Sequence, residues 1–163
     1  MPESRGERRS AGVQPQEQVA FEAWSLLLRT HARLVAGLDA ALRERAGVTL
    51  SAYDLLAHVA AAPDRRLPMS QLEDKVLFSQ STVSRLAARL EREGLLERVV
   101  AEHDRRALVV RLTGAGASTF RRARDVAAQY LREHFVSALA PGQDAALRDV
   151  LSALSDGPRP SSP

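Results

Sequence analysis

The segment Ser79–Leu90, SQSTVSRLAARL, decides the fold, and the strand-like LLERVV of residues 95–100 follows it almost directly. Apolar residues recur in this segment at steps of three, one and three, which predicts an amphipathic helix with one buried stripe. The stripe consists of Val83, Leu86, Ala87 and Leu90. Small or polar residues and arginines fill the remaining positions, and no acid occurs before Glu91. Such a helix can approach the base edges of a DNA groove, because its side chains are short and form hydrogen bonds.

Start and stop signals indicate that this helix is the second of a helix-turn-helix. Ser70 and Glu73 have the spacing of a capping box, which predicts a short helix through about Val76. Ser79 can cap the next helix and Gly94 can end it. Only three or four residues then separate the two helices, which is helix-turn-helix spacing.

A β-hairpin is predicted directly after this pair of helices. Residues 95–100 and 107–112 are short and rich in leucine and valine, as strands are, and a polar AEHDRR lies between them. The tip of this hairpin is basic, and we assign to it Arg98, His103, Arg105 and Arg106. Such a wing can reach the minor groove, whose negative potential attracts arginine. We expect Asp104 to pair with Arg105 or Arg106. The alternative is an ordinary exposed turn, where such pairs contribute less than about 1 kcal/mol.

Two helices are predicted before this motif and two after it. Gly47 ends the first near Ala46, and Pro63 ends the second. The second helix starts at Ser51, which is spaced as a capping box with Asp54. After the hairpin, Thr113 can cap one helix and Pro141 suits the first turn of the last helix.

We therefore predict a mainly α fold with a small β-hairpin wing, a winged helix-turn-helix embedded in a helical dimerisation frame. The expected parts are a disordered arm 1–15, a helical dimerisation region 17–46 and 114–155, a winged helix-turn-helix DNA-binding domain 50–113, and a disordered tail 156–163. A homodimer is favoured because a two-fold pair reads half-sites about 10 base pairs apart, whereas one module contacts few bases. The alternative is that the flanking helices complete a monomeric core.

Composition narrows the class of protein. The 163 residues carry a net charge of +3, and 22 of the 23 basic residues are arginine. Arginine suits nucleic acid, although GC-rich codon usage explains the same bias. The absence of cysteine excludes disulfides, a cysteine nucleophile, thiol sensing and thiolate metal sites. No apolar run is long enough to span a membrane and the first twenty residues lack an apolar core, so we expect a cytoplasmic protein.

Three further runs resemble the MarR family of multiple-antibiotic-resistance-type regulators. They are GLLER at 94–98, DRRA at 104–107 and LTGAG at 112–116, and residues 85–95 match the family pattern RLxxRLExxGL. The resemblance covers about residues 20–155 in element order, and its distinctive motifs fill residues 70–116. It implies homodimers that bind pseudo-palindromic operators in double-stranded DNA, usually repress neighbouring genes, and often release DNA on binding small phenolic or aromatic acids.

The resemblance also implies site residues. The family's DNA-contacting helix corresponds to Ser79–Arg92, its wing arginine to Arg106 or Arg105, and its wing aspartate to Asp104. Together with the face analysis, the candidate DNA contacts are Ser79, Gln80, Ser81, Thr82, Ser84, Arg85, Arg89, Arg98, Arg105 and Arg106.

By the same resemblance, an effector pocket is expected between the dimer helices and the winged module. Its candidates are Trp24, His31, Tyr53, Asp54 and His58, with Arg89 as a further anchor. A histidine such as His31 on an apolar face is otherwise a core or interface residue. Arg89 serves ligand and DNA at once only if ligand binding withdraws it. No cofactor or metal is expected, because the four histidines show no HxxxH or HExxH spacing.

The sequence argues against two other classes of protein. An enzyme is not expected, because the sequence has no Gly-rich phosphate loop, no GxSxG, no metal constellation and no Cys-His pair. A winged-helix protein-interaction module without DNA binding would place apolar residues where Gln80, Ser81, Ser84 and Arg85 stand. The sequence therefore predicts a homodimeric, sequence-specific DNA-binding regulator, a repressor released by a small aromatic or phenolic ligand.

Overall fold

The computed structural model describes residues 15–75, 80–100 and 108–156, in which six α-helices and three short strands occur. The helices are α1 Pro15–Ala46, α2 Leu50–Ala61, α3 Met69–Lys75, α4 Gln80–Arg92, α5 Gly114–His134 and α6 Gln143–Ser155. The strands are β1 Arg66–Pro68, β2 Leu96–Val100 and β3 Leu108–Leu112, and 3-10 turns lie at Pro63–Arg65 and Val136–Ala138. This confirms the mainly α fold with a small β wing. The expected arm and tail fall almost entirely outside the described residues.

The chain divides into two units, residues 1–34 and residues 35–163. The described part of the first is helical, and nearly all of its side chains are exposed, including Trp24 and His31. His31 is therefore not buried within this unit, and the alternative that it is a core residue there is wrong. No helix of the described part is long and apolar enough to cross a membrane.

The second unit has one hydrophobic core, to which the end of α1, the helices α2 to α5 and the sheet all contribute. Leu55, Leu56 and Val59 of α2 are fully buried, and so are Leu72 of α3 and Leu96 of β2. The predicted stripe of α4 packs into this core: Val83, Ala87 and Leu90 are buried and Leu86 is partly buried. The helix is thereby fixed by one face, and its other face is presented outward.

A three-stranded antiparallel sheet in the order β1-β3-β2 supports the wing. The predicted hairpin is confirmed, with Val99 of β2 opposite Val109 of β3. The third strand, β1, was not predicted; it pairs Leu67 with Val110 and covers the other edge of β3. Residues 101–107, the expected hairpin tip, lie outside the described residues.

Three predicted helix starts need correction. Thr49 caps α2 in place of Ser51: its hydroxyl accepts the Ala52 N–H (3.1 Å). The Leu50 N–H already donates to Asp39 Oδ1 (2.7 Å), so the first turn is satisfied before Ser51 is reached. The other two are Ser70, which lies inside α3 because that helix begins at Met69, and Pro141, which lies before α6. The predicted cap Thr113 is confirmed, since its hydroxyl accepts the Gly116 N–H (2.9 Å).

Asp39 joins the end of α1 to the start of α2 within the second unit. The bond from Leu50 N–H and a second bond from Arg43 Nε (2.7 Å) hold the pKa of this carboxyl below its ordinary value, against a smaller opposing effect of burial. Both bonds favour the charged form, so Asp39 stabilises this corner as a carboxylate.

α6 differs from the other helices of the second unit, because none of its residues is buried. Val150, Leu151 and Leu154 are all exposed, although Val150 and Leu151 lie four and three residues before Leu154, as in the stripe of an amphipathic helix.

Candidate nucleic-acid interface

The end of α4 is fixed by a Schellman motif. The Leu95 N–H donates to the Leu90 carbonyl (2.9 Å) and the Gly94 N–H to the Glu91 carbonyl (2.9 Å). Gly94 has φ 72°, a left-handed conformation that glycine adopts without a steric penalty, which explains the predicted stop at this residue. The turn therefore sets the direction in which the chain leaves α4 and enters β2.

The face of α4 opposite its buried stripe carries short polar side chains and two arginines. Ser81, Ser84, Arg85 and Arg92 are exposed and lie three, four or seven residues apart, so they share one face. Arg85 Nε donates to the Ser81 carbonyl (3.1 Å) and Arg92 Nε to the Ala88 carbonyl (3.4 Å). Among the described residues, no carboxylate pairs with either guanidinium. This face is polar and positively charged, as contact with phosphates and guanine edges requires.

The remaining candidates on this helix are less well defined. Thr82 is half-buried beside the exposed face. Gln80 is the first residue of α4, and Ser79 lies outside the described residues. Arg92 was not a candidate from the sequence, although it follows Arg85 by seven residues, a two-turn spacing that marks the same face.

Arg89 points to the flank of α4 and not to the exposed face. Its Nε lies 3.4 Å from Oε1 of Glu93, the residue that directly follows α4. It borders an open cavity of about 320 Å³ together with Arg43, Gly47, Val48, Thr49 and Glu93. From the sequence, both Arg85 and Arg89 are candidate DNA contacts and Arg89 is also a candidate effector anchor; the structure gives the two side chains different surroundings.

Arg98 does not lie at the hairpin tip, and that prediction is wrong. It is the middle residue of β2, opposite Val110, because the strand extends to Val100 before the tip begins. Its Nε lies 2.7 Å from Glu91 Oε2 in the last turn of α4. The predicted tip residues Asp104, Arg105 and Arg106 lie outside the described residues.

The base of the wing is attached to α5 through Thr113 and Gly116. The Thr113 hydroxyl donates to the Gly94 carbonyl (2.7 Å) and also lies 3.2 Å from the Leu95 carbonyl oxygen. Gly116 packs directly on Leu95, and a Cβ at this position would collide with the Leu95 carbonyl oxygen. The LTGAG run therefore fixes the end of the α4 turn against the first turn of α5.

A charged pair crosses the sheet. Arg111 Nε of β3 donates to Glu97 Oε1 of β2 (2.8 Å), directly across the register. This bond holds the pKa of Glu97 below its ordinary value, and the positive charges of Arg111 and Arg66 contribute in the same direction. The pair adds a cross-strand side-chain contact to the ladder that joins β2 and β3.

Three of the five effector candidates lie in the second unit. Tyr53 of α2 stacks on Phe120 of α5, with ring centroids 5.9 Å apart and an interplanar angle of 19°. Burial raises the pKa of Tyr53 above its ordinary value. The positive charge of Arg124 lowers this pKa, and the negative charge of Asp54 raises it further. His58 Nε2 lies 3.7 Å from Asp54 Oδ1 one turn along the same helix. Trp24 and His31 belong to the first unit. Within residues 15–75, 80–100 and 108–156, no group of three or more His, Asp or Glu side chains is placed to hold a metal.

Sequence comparison finds a family match over the winged region. Residues 46–107 match the model of the MarR family. The HTH-type transcriptional regulator PrsX of Escherichia coli is 29% identical over 87 residues, which cover 53% of this chain. The chain spans about half the length of this curated relative, 52%.

Solved structures share the fold over almost the whole chain. Sco3205, a MarR family transcriptional regulator from Streptomyces coelicolor solved in complex with DNA, is 27% identical and matches with a TM-score of 0.79, over 92% of this chain and 96% of that one. Bordetella bronchiseptica BpsR, whose DNA binding is regulated by 6-hydroxynicotinic acid, matches in fold with a TM-score of 0.73 at 23% identity, over 90% and 99% of the two chains. Sequence motifs, the family match over residues 46–107 and these solved structures agree in relating the chain to MarR family regulators.

Proposed function

We propose that this chain is a transcriptional regulator that binds double-stranded DNA, with α4 as its recognition helix. The observation that carries the proposal is the exposed face of α4, where Arg85 and Arg92 stand with Ser81 and Ser84 and pair with no described carboxylate. The DNA complex of Sco3205, a relative of the same fold, supports it.

Each residue type on this face suits a particular contact. Ser81 and Ser84 are short, so they allow the helix backbone to approach base edges and they form hydrogen bonds to bases or phosphates. The Arg85 guanidinium can bond to guanine O6 and N7 together. Arg92 lies near the end of the helix and is assigned to the phosphate backbone. The first amides of α4 favour a nearby phosphate, because the N-terminus of a helix is partially positive.

The other candidate contacts follow from this placement. Ser79, Gln80 and Thr82 are assigned to the start of the recognition helix, and Arg105 and Arg106 to the minor groove with Asp104 holding the wing. Arg89 and Arg98 already pair with carboxylates, so we assign them supporting roles.

Selection from a random pool of DNA duplexes tests the proposal. The purified chain is incubated with 30-base-pair duplexes of random sequence, and bound duplexes are recovered, amplified and sequenced over several rounds. We expect enrichment of an inverted repeat whose half-sites lie about 10 base pairs apart, one helical turn. A pool that stays random, with no more DNA retained than by Arg85→Glu, would contradict DNA recognition through α4.

We also propose that the chain acts as a homodimer. Val150, Leu151 and Leu154 form an exposed apolar face on α6, and Phe21, Trp24 and Leu28 are exposed on the first half of α1. Exposed apolar faces of this kind, taken separately on each helix, mark protein interfaces, and a two-fold partner suits an inverted repeat. Light scattering at micromolar concentration should give twice the 17.8 kDa of one chain. A mass of 17.8 kDa would overturn the dimer.

Finally, we propose that the regulator is a repressor released by a small aromatic acid. The stacked Tyr53 and Phe120 offer an aromatic surface between α2 and α5, and Asp54 and His58 add polar groups on α2. The regulation of BpsR by 6-hydroxynicotinic acid supports this class of ligand. Titration with 6-hydroxynicotinic acid and salicylate, followed by fluorescence of the single tryptophan and by release of the selected duplex, tests it. Unchanged fluorescence and unchanged DNA binding with both acids would count against a ligand of this class.

A further inference from the structure

We propose that the cavity beside Arg89 binds a small polar dianion, a dicarboxylate or a phosphate. The cavity has a volume of about 320 Å³ and lies within the second unit, between the corner that joins α1 to α2 and the flank of α4. This volume lies at the lower end of the range of small-molecule sites, which begins at roughly 300 Å³. Such a site goes beyond DNA binding, and the chain can hold the dianion whether or not it binds DNA.

Two guanidinium groups from different helices border the cavity. Arg43 belongs to the last turn of α1 and Arg89 to the last turn of α4. Glu93 is the only carboxylate among the described lining residues, so positive charges outnumber negative ones there. Arginine binds carboxylates and phosphates through its fixed fork of N–H donors. The charge of the lining therefore favours an anionic occupant.

Arg89 has a donor that the folded chain leaves unused. Its Nε is buried and has no hydrogen-bond partner among the described residues. Glu93 Oε1 lies 3.4 Å from this atom, which is longer than the charge-assisted hydrogen bond of about 2.7–2.9 Å. A buried N–H without a partner is unfavourable, and an anion in the cavity can accept a bond from it.

Arg43 and Thr49 add further donors at the same cavity. Arg43 Nε donates to Asp39 Oδ2 (2.7 Å), and this bond leaves the terminal N–H groups of the guanidinium for a ligand. The Thr49 hydroxyl accepts the Ala52 N–H (3.1 Å), so its own proton is available to a second acceptor. Donors from α1, from the cap of α2 and from α4 thus border one cavity.

This cavity is separate from the aromatic surface between α2 and α5. Tyr53 stacks on Phe120, and neither ring borders the cavity. Among the described lining residues none is aromatic, and Val48 alone has a large apolar side chain. A polar dianion therefore suits this cavity better than the aromatic acid proposed for the Tyr53 surface.

Isothermal titration calorimetry of the full chain at low salt tests the site, with succinate and inorganic phosphate as the two probes. We expect one molecule bound per chain for at least one probe, and the tighter probe identifies the class of acid. Arg89→Gln should raise its Kd at least tenfold, because a hydrogen bond to a charged group is lost. Arg85→Gln is the matched control: it removes the same charge from the exposed face of the same helix, so the Kd should stay within about twofold.

Glu93→Gln should change the Kd in the opposite direction. It removes the carboxylate that competes with the ligand for Arg89, so we expect binding to become about threefold tighter. Glu91→Gln is the control, because the Glu91 carboxylate lies 2.7 Å from Arg98 Nε and does not border the cavity. A purely structural role of the Arg89–Glu93 pair predicts no such gain in affinity. Tm should change little in these variants, since the two side chains are 40% and 48% exposed.

Three results would overturn the dianion site. The first is that neither probe binds to the wild-type chain. The second is that Arg89→Gln binds the probe as tightly as the wild type does. The third is an equal loss in Arg85→Gln and Arg89→Gln, which would place the anion on the exposed face of α4. None of these results bears on the proposed DNA binding, which the duplex selection tests separately.

Discussion

α4 and α6 are both thirteen residues long and both carry an amphipathic stripe, yet the chain treats them in opposite ways. In α4, Val83 and Leu90 are 1% and 0% exposed, because α2, α3 and β2 cover them. In α6, Leu151 and Leu154 are 38% and 66% exposed. One helix is completed by its own chain, and the other is not.

The two helices therefore require different kinds of partner. The apolar stripe of α4 is satisfied, so its outward face is polar and suits a polar partner such as DNA. The apolar stripe of α6 is unsatisfied, and a second copy of the chain can cover it. The hydrophobic pattern of a helix sequence gives the width of its apolar stripe, but it does not say which element or partner packs on that stripe.

Charges on the α6 stripe should have the largest effect. We expect the double variant Leu151→Asp and Leu154→Asp to abolish the dimer, because burying two unpaired carboxylates in an apolar interface is strongly unfavourable. The mass by light scattering should fall from twice 17.8 kDa to 17.8 kDa. Ser152→Asp, on the same helix but not on the stripe, is the control and should remain dimeric. A double variant with unchanged mass would place the interface elsewhere.

Truncation of one leucine on each helix should affect the free energy of unfolding in different ways. Leu90→Ala should lower the free energy of unfolding by about 2–5 kcal/mol, because it leaves a cavity in the core. Urea unfolding should show this loss at every protein concentration. Leu154→Ala should destabilise only the dimer, so its effect should disappear on dilution. A concentration-independent loss for Leu154→Ala would mean that α6 packs within its own chain.

A smaller effect is expected from the corner that supports α2, against which α4 packs. Because the folded-state pKa of Asp39 is lowered, its contribution is complete above the unfolded-state value of about 3.9 and is lost as pH falls through the folded-state pKa. Asp39→Ala should lower stability by roughly 1 kcal/mol at pH 7, as loss of a helix cap does, and by less at pH 3. Asp149→Ala on α6 is the control and should change little at either pH, since this side chain is 70% exposed. An equal loss for Asp39→Ala at both pH values would contradict the ionic role.

Much of the winged region could be predicted because its signals are local. The α4 stripe, the Gly94 stop and the Thr113 cap each depend on residues a few positions apart, and all three are confirmed. β1 was missed because three residues including a proline give no alternating pattern. The start of α2 at Thr49 was not predicted, because the bond from the Leu50 N–H to Asp39 that supports it joins residues eleven positions apart.

The candidate site was only partly predictable for the same reason. Arg85, Arg89 and Arg98 look alike in sequence, and only tertiary contacts distinguish them: Arg98 meets Glu91 across a turn, and Arg89 meets Glu93 on the flank of α4. Arg92 could have been found, because a two-turn spacing from Arg85 is a sequence signal.

Two arginines, one on α4 and one on α6, provide a direct test of whether the exposed face of α4 reads DNA. Kd for the selected duplex is measured for Arg85→Ala on α4 and Arg148→Ala on α6, with Tm checked for both. Arg85→Ala should weaken binding by about 1–3 kcal/mol, roughly 5- to 150-fold, as loss of a base contact does. The Kd of Arg148→Ala should stay within about twofold of the wild-type value, because Arg148 lies on α6 and not on the exposed face of α4. Equal affinities for Arg85→Ala and the wild type, or the same loss of affinity in both variants, would contradict DNA recognition by the exposed face of α4.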